Sequence, residues 1–110
     1  MRAGATSVAG FVARPLSFTR RFEQDLERIE AWYLKTADER VADEAVDAII
    51  AQAERIARLG LQLRKGKRGT RECPLSQHPF LLIYRIDSRE VRMLRAINAR
   101  GAFLNERAKA

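Results

Sequence analysis

Arginine side chains on two strand-like runs are the residues of this chain with the clearest capacity for chemistry. Residues 79–86 and 90–97 are rich in apolar and β-branched side chains, yet they include Arg85 and Arg95. The planar fork of donors on arginine binds phosphate or carboxylate. If both arginines face out on the open side of a sheet, Arg71 can join them there. Such a three-arginine patch would bind a phosphate group or an acidic peptide.

Groups that exchange protons near neutral pH are scarce. Arginine is a poor general acid or base because its pKa exceeds 12. His78 precedes a proline in a turn and is interpreted as a surface residue, and Cys73 as a small apolar strand residue. One cysteine and one histidine cannot build a structural zinc site, so we expect neither a metal nor a cofactor. Tyr84 is either a core aromatic or a contact to a ligand or partner.

Positive charge is concentrated in the second half of the chain. The sequence has 21 Lys and Arg residues against 14 Asp and Glu, a formal net charge of +7. Residues 1–59 carry 9 basic and 10 acidic side chains, whereas residues 60–110 carry 12 and 4. A one-sided basic surface favours a polyanion or an acidic partner segment. Residues 61–70, which contain four cations and two glycines, are interpreted as a solvated linker.

Hydrophobic periodicity predicts two helices that form an antiparallel hairpin. Apolar residues recur at helical spacing from residue 20, where Thr19 is the predicted N-cap, to about residue 35. Glu23, Asp25, Glu27 and Glu30 lie off this stripe and are expected in solvent. A second helix is predicted from about residue 37 to residue 59. It begins in a capping box formed by Thr36 and Glu39 and ends before Gly60.

Strands flank this hairpin and complete an α+β fold. Residues 11–18 read as a first strand, in which Pro15 favours an edge position or a break. After the hairpin come a strand from residue 71 to 75 and the two runs named above, which are separated by a three-residue turn. The predicted fold is an N-terminal strand, a helical hairpin and a three-stranded antiparallel meander, in one sheet packed on the helices.

The length of 110 residues predicts one domain with one modest core. We expect a flexible tail at residues 1–10, the domain at residues 11–104 and a C-terminal tail at residues 105–110. No apolar run approaches the ~18 residues of a membrane span. The start of the sequence also lacks the apolar segment of a signal peptide. Together with the single cysteine, this predicts a cytoplasmic protein that does not enter a membrane.

Four short motifs, in order along the chain, resemble the RelE/ParE superfamily of toxins from bacterial type II toxin–antitoxin modules. In the helical half, residues 22–29 followed by Tyr33 resemble the pattern found near the start of the family's sequences. The second half shows a Gly-x-Arg strand at residues 69–71 and a Pro-aromatic-x-x-x-Tyr-Arg strand at residues 79–85. The fourth motif ends the last strand at residues 94–100. The resemblance covers roughly residues 11–104 and implies the RelE/ParE-like fold.

The superfamily contains two mechanisms, and the residues present favour binding over cleavage. RelE-like members cleave messenger RNA in the ribosome, whereas ParE-like members inhibit DNA gyrase. RNA cleavage needs groups that transfer protons and stabilise charge. Where the nuclease branch has an arginine, a histidine and a C-terminal aromatic hydroxyl, this chain has Phe80, Asn98 and Phe103. If the chain is a nuclease, Arg71, Arg95 and Arg100 are its candidate catalytic residues.

The resemblance therefore predicts a ParE-like toxin that binds DNA gyrase and is neutralised by a cognate antitoxin in a hetero-oligomer. Two alternatives stay open. One is a ribosome-dependent messenger RNA endonuclease, and the other is a non-toxic member that only binds its antitoxin. Residues expected to contact the target or the antitoxin are Arg71, Tyr84, Arg85, Arg95, Asn98, Arg100 and Phe103.

Overall fold

The computed structural model describes residues 7–8 and 11–99 and places two helices against one face of a five-stranded mixed sheet. The predicted α+β fold is confirmed. Among the helices of the described residues, none has the length and apolar character needed to cross a membrane. In chain order the elements are β1 Ser7–Val8, β2 Phe11–Val12, β3 Leu16–Phe18, α1 Arg20–Thr36, α2 Glu39–Leu59, β4 Arg64–Lys65, a 3₁₀ turn Lys67–Gly69, β5 Arg71–Pro74, β6 Phe80–Ile86 and β7 Val91–Asn98.

The strand order in the main sheet is β3-β7-β6-β5-β4. Strand β3 is parallel to β7, and the other neighbours are antiparallel. The predicted meander is therefore present as β5, β6 and β7. Strand β4 is an addition to the prediction, because residues 61–70 were interpreted as a linker. Two residues are too few to show a periodic pattern in the sequence.

Pro15 breaks the first predicted strand in two. Its ring leaves no backbone donor, and the chain between Val12 and Leu16 forms no strand. The carbonyl of Pro15 nevertheless accepts a hydrogen bond from the Val91 N–H at 2.9 Å. Strand β2, before the break, pairs with Ser7–Val8 in a separate two-stranded sheet. The rest of the predicted tail lies outside the described residues.

Helix α1 begins where β3 ends, and Thr19 fixes the junction. Its hydroxyl accepts a hydrogen bond from the Phe22 N–H at 3.0 Å, which confirms the predicted N-cap. The same hydroxyl donates to the Leu94 carbonyl at 3.0 Å, and the Thr19 N–H donates to the Met93 carbonyl. The start of α1 is therefore bonded to β7.

The predicted capping box between Thr36 and Glu39 is wrong. Thr36 is the last residue of α1, and its hydroxyl donates to the Trp32 carbonyl one turn earlier at 2.8 Å. The N-cap of α2 is Asp38, whose carboxylate accepts from the Val41 N–H at 2.9 Å. Aspartate is among the preferred N-cap residues, and the sequence analysis did not consider Asp38. The predicted C-cap is confirmed, because Gly60 has the left-handed φ of 63°.

The core lies between the helices and the inner face of β5, β6 and β7. Small residues on α2, such as Ala45 and Ala53, are fully buried and allow the helix to approach the sheet closely. From the sheet, Leu82 and Met93 contribute buried side chains. Burying one such large apolar side chain stabilises the fold by about 1.5–3 kcal/mol.

A β-bulge interrupts the pairing of β6 with β7. Ile83 lies opposite Arg95 and Tyr84 lies opposite Met93, so Leu94 is the extra residue of β7. Strand β3 also ends here, at the pair Phe18 and Met93. The bulge therefore coincides with the point where the chain leaves the sheet edge for α1. A bulge bends a strand and changes the direction of its side chains.

Candidate functional site

Arg95 forms a two-pronged ion pair with Asp25 of α1. Its Nε lies 2.7 Å from Asp25 Oδ2, and its Nη2 lies 3.2 Å from Oδ1. Asp25 Oδ2 also accepts from the Ala96 N–H at 2.9 Å, because β3 has already ended and leaves this edge of β7 without a neighbouring strand. Asp25 is 1% exposed. Arg95 is therefore held by a structural partner next to the bulge.

Asp25 was expected in solvent, and this expectation is wrong. Its position had a signal in the sequence that the stripe of Phe22, Leu26 and Ile29 obscured. Asp25 follows Phe22 by three residues and precedes Ile29 by four, the spacing of neighbours on one helix face. Both neighbours are fully buried. This spacing indicates that Asp25 is buried, and a buried carboxylate needs a partner, but the spacing does not identify Arg95 as that partner.

Tyr84 is a core residue that fastens β6 to the chain after α2. Its side chain is fully buried, and its hydroxyl donates to the Leu61 carbonyl at 2.7 Å and accepts from the Leu63 N–H at 3.1 Å. Burial raises the pKa of this phenol, and the hydrogen bond from Leu63 offsets part of the rise. Of the two readings of Tyr84, the structure therefore supports the core residue.

Arg71 and Arg85 lie close in the sheet but on opposite faces. Arg71 is the cross-strand neighbour of Tyr84, and residues directly opposite each other share a face. Its guanidinium donates to the Leu63 carbonyl at 3.1 Å and to the side chain of Gln62 at 3.3 Å. Arg85 follows Tyr84 and therefore points to the other face.

The expected patch of Arg71, Arg85 and Arg95 does not form. Arg71 shares the inner face with Tyr84, and Arg95 is paired with Asp25 next to the bulge. The interpretation placed these arginines on the open side because buried charges need partners. Arg85 does lie on the outer face, but Arg71 and Arg95 have partners that sequence spacing does not reveal, the Leu63 carbonyl and Asp25.

Phe80 and Asn98, two of the three residues that the sequence analysis contrasted with the nuclease branch, lie opposite each other on neighbouring strands. They are register partners on β6 and β7, and they are 1% and 4% exposed. The ring of Phe80 packs edge-on against Tyr33, with 6.1 Å between ring centroids. An apolar ring and a neutral amide, both buried, give this position no group that exchanges protons near neutral pH.

A groove of about 290 Å³ separates α2 from the loop at residues 74–79 and is lined by Gln52, Arg55, Ser76 and His78. In the described part of the chain the His78 side chain forms no hydrogen bond or ion pair. Gln52 donates a hydrogen bond to the Sγ of Cys73 at 3.2 Å, and Cys73 is buried. No general base is positioned by a second group here.

Residues 64–68, which we call the basic turn, were missed as a candidate site. Arg64 and Lys65 form the edge strand β4, and Lys67 and Arg68 follow in the 3₁₀ turn. All four side chains are exposed. Arg85 reaches the turn from β6 and donates to the Arg68 carbonyl at 2.6 Å. The signal in the sequence is the local charge density, which is equally typical of a solvated linker.

The remaining predicted residues, Arg100 and Phe103, lie outside the described residues. Of the predicted set, the structure therefore joins Arg71 to Tyr84 through the 61–63 segment and Arg85 to the basic turn. It places Arg95 with Asp25, and Asn98 with Phe80. Within the described ranges 7–8 and 11–99, no group of three His, Cys, Asp or Glu side chains is placed to hold a metal ion.

A protein-family model described as the ParE toxin of the type II toxin–antitoxin system, parDE, matches residues 16–101. This chain belongs to the ParE toxin family. The resemblance inferred from the motifs is therefore confirmed, including its assignment to the ParE-like branch. Comparison with curated protein sequences gave no match.

One solved structure shares the fold of this ParE-family chain, and two others match it less closely. The chromosomal ParDE toxin–antitoxin system from P. aeruginosa matches with a TM-score of 0.71 and 24% identity, over 78% of this chain and 96% of that chain. The E. coli DinJ-YafQ toxin–antitoxin complex matches with a TM-score of 0.47 and 13% identity, over 84% and 99% of the two chains. A conserved hypothetical protein from Helicobacter pylori gives 0.49 and 22%, over 77% and 93%.

Proposed function

We propose that this ParE-family chain is the toxin of a type II toxin–antitoxin module, inhibits DNA gyrase by binding it, and is neutralised by a cognate antitoxin. The observation that carries the proposal, beyond family membership, is the pair of Phe80 and Asn98. A toxin that cleaved RNA would need proton-transfer groups at its site. This pair is buried and contains none.

The described arginines support the same conclusion through their partners. Arg95 is bound to Asp25, and Arg71 is bound to the Leu63 carbonyl and Gln62. To stabilise a developing phosphorane, either guanidinium would have to leave its present acceptors. Electrostatic catalysis depends on donors that are already oriented toward the reacting group. These two arginines are oriented toward the protein itself.

The outer face of the sheet supports the proposed antitoxin contact. Leu81, Ile83 and Ile97 are partly exposed there, and Arg85 and Arg92 are exposed cross-strand neighbours beside them. An apolar strip next to basic side chains is complementary to an acidic, amphipathic segment that folds on binding. We propose that the antitoxin covers this face, in a cytoplasmic hetero-oligomer. Asn98, Arg100 and Phe103 stay predicted contacts of the target or the antitoxin.

A supercoiling assay with purified DNA gyrase tests the proposal. We expect the full chain to inhibit ATP-dependent supercoiling of a relaxed plasmid, and we expect pre-incubation with the cognate antitoxin to restore it. A parallel translation extract, probed for messenger RNA breaks by primer extension, tests the nuclease alternative. Messenger cleavage with unaffected supercoiling would replace our proposal with that alternative. Antitoxin binding without either effect would identify a non-toxic family member.

A further inference from the structure

Most of the positive charges in and beside the basic turn have no acidic partner among the described residues. Arg64 forms an ion pair with Glu72 across β4 and β5, with 3.0 Å between Nη2 and Oε1. Within residues 11–99, no carboxylate lies within ion-pair distance of Lys65, Lys67, Arg68 or Arg85. Among the described residues, the Arg85 guanidinium bonds to the neutral carbonyl of Arg68. Four uncompensated cations are therefore gathered at one sheet edge.

The backbone of the turn is held in one conformation. The Gly66 N–H donates to the Thr70 carbonyl at 2.9 Å, and the Thr70 N–H and hydroxyl both donate to the Lys67 carbonyl. Arg68 has the left-handed φ of 58°, a conformation that glycine adopts more readily than arginine. These hydrogen bonds fix the backbone positions from which the charged side chains extend, unlike the backbone of a mobile linker.

We propose that the basic turn, together with Arg85, binds the sugar–phosphate backbone of duplex DNA without sequence specificity. Phosphate contacts from lysine and arginine supply essentially all of the affinity of non-specific DNA binding. The turn contains four cations and one glycine but no aromatic side chain, whereas proteins that bind single strands stack bases on aromatic rings. It also lacks the apolar residues that an amphipathic peptide would cover.

This proposal goes beyond the proposed function, because the DNA contact belongs to the toxin itself and needs no gyrase. It uses the sheet edge at β4, whereas the proposed antitoxin face lies across β6 and β7. The two share only Arg85. The DNA contact can therefore be measured with the chain alone, so its failure and the failure of the gyrase proposal are distinguishable.

Fluorescence anisotropy with a labelled 20-base-pair duplex of mixed sequence, at KCl concentrations from 50 to 200 mM, tests the proposal. Four phosphate contacts predict a slope of log K against log salt of about −3.6 and an affinity loss of about 150-fold over this range. The double variant K65Q/K67Q should reduce the magnitude of the slope by about 1.8, because each removed contact contributes about 0.9.

R20Q/R21Q is the matched control. It removes two exposed arginines from the start of α1, which follows β3 at the opposite edge of the sheet, and it changes the net charge equally. We expect this control to keep the wild-type slope. Equal slopes for the two double variants would overturn the proposal, as would the absence of binding to the duplex at 50 mM KCl.

The variant R68G removes one cation from the basic turn without destabilising the fold. Glycine accepts the left-handed φ at residue 68 and keeps the carbonyl that binds Arg85, so we expect an unchanged or higher Tm. The magnitude of the salt slope should fall by about 0.9. A wild-type slope in R68G, tighter binding of a single strand than of the duplex, or preference for a poly-glutamate peptide over the duplex would contradict the proposal.

Discussion

Arginines at the two edges of the sheet serve different purposes. At the β3 edge, Arg95 joins Asp25, and this pair also satisfies the backbone of β7 where β3 has ended. At the β4 edge, Arg68 and its neighbours are exposed, and Glu72 compensates only Arg64. The same residue type is therefore part of the fold at one edge and part of the surface at the other. The difference lies in the partner that the opposite element supplies.

This comparison separates stability from binding. A buried charge must be paired, and removing one partner is costly because the other charge stays in the interior. An exposed charge contributes little to stability and is available to a partner. Substitutions at the β3 edge should therefore change the free energy of unfolding, whereas substitutions at the β4 edge should change binding.

The largest effect is expected for Arg95→Ala. This change leaves the Asp25 carboxylate buried without its cation, which costs about 3–5 kcal/mol in the free energy of unfolding. Urea denaturation measures it. Arg92→Ala on the same strand removes an exposed arginine and should stay within about 0.5 kcal/mol of wild type. Equal costs for the two variants would contradict the structural role of Arg95.

A smaller effect is expected for Tyr84→Phe, at the boundary between the core and the chain that leads to the basic turn. The change leaves the Leu61 carbonyl and the Leu63 N–H without their bonds to the hydroxyl, which costs about 1–3 kcal/mol. Unfolding in urea near neutral pH measures this loss. An unchanged midpoint would show that water replaces the hydroxyl at both groups.

The pH dependence of stability in wild type and Tyr84→Phe tests the burial of the Tyr84 hydroxyl. Burial raises the pKa of Tyr84 in the folded state, so the unfolded chain loses this proton first as the pH rises through about 10. The unfolded state then binds fewer protons than the folded state. The stabilisation that Tyr84 contributes to the free energy of unfolding is complete below pH 10 and is lost as the pH rises further. Wild type should therefore lose stability above pH 10 more steeply than Tyr84→Phe. Parallel curves would contradict the raised pKa.

An effect of about 1 kcal/mol is expected for Thr19→Ala, which removes the N-cap of α1 and its bond to β7. Thr36→Ala is the matched control, because Thr36 is exposed and bonds only within its own helix. We expect it to stay within about 0.5 kcal/mol of wild type. Thermal unfolding of both variants checks the pair. A larger cost at Thr36 would support the capping box that the structure lacks.

The smallest effect on stability is expected at the β4 edge. K65Q/K67Q removes two exposed cations that have no acidic partner among residues 11–99, so its free energy of unfolding should lie within about 0.5 kcal/mol of wild type. Circular dichroism in urea measures this. A loss comparable with that of Arg95→Ala would mean that both edges serve the fold, and the comparison would fail.

The sequence predicted elements whose determinants are local and missed those that depend on distant partners. The Thr19 cap, the Gly60 C-cap and the hairpin between β6 and β7 follow from residues a few positions apart. The Arg95 pair joins residues 70 positions apart, and β4 contains only two residues. Neither the partner of Arg95 nor strand β4 can be inferred from a periodic pattern in the sequence.

In the candidate site too, features set by residue type could be predicted, whereas features set by distant partners could not. The loss of proton-transfer groups at Phe80 and Asn98 was readable from the motifs, because residue type alone decides it. The direction of each arginine was not readable, because the bulge at Leu94 and the 61–63 segment determine it. The basic turn was visible as charge, but only the fold shows that these cations share one ordered edge.

Pulse-labelling of DNA and protein synthesis in parallel, after induction of the chain without antitoxin, tests most directly whether it acts by binding gyrase. Our account predicts early loss of DNA synthesis while protein synthesis continues. Early loss of protein synthesis, with DNA synthesis initially intact, would contradict it and would assign the chain to messenger cleavage despite Phe80 and Asn98.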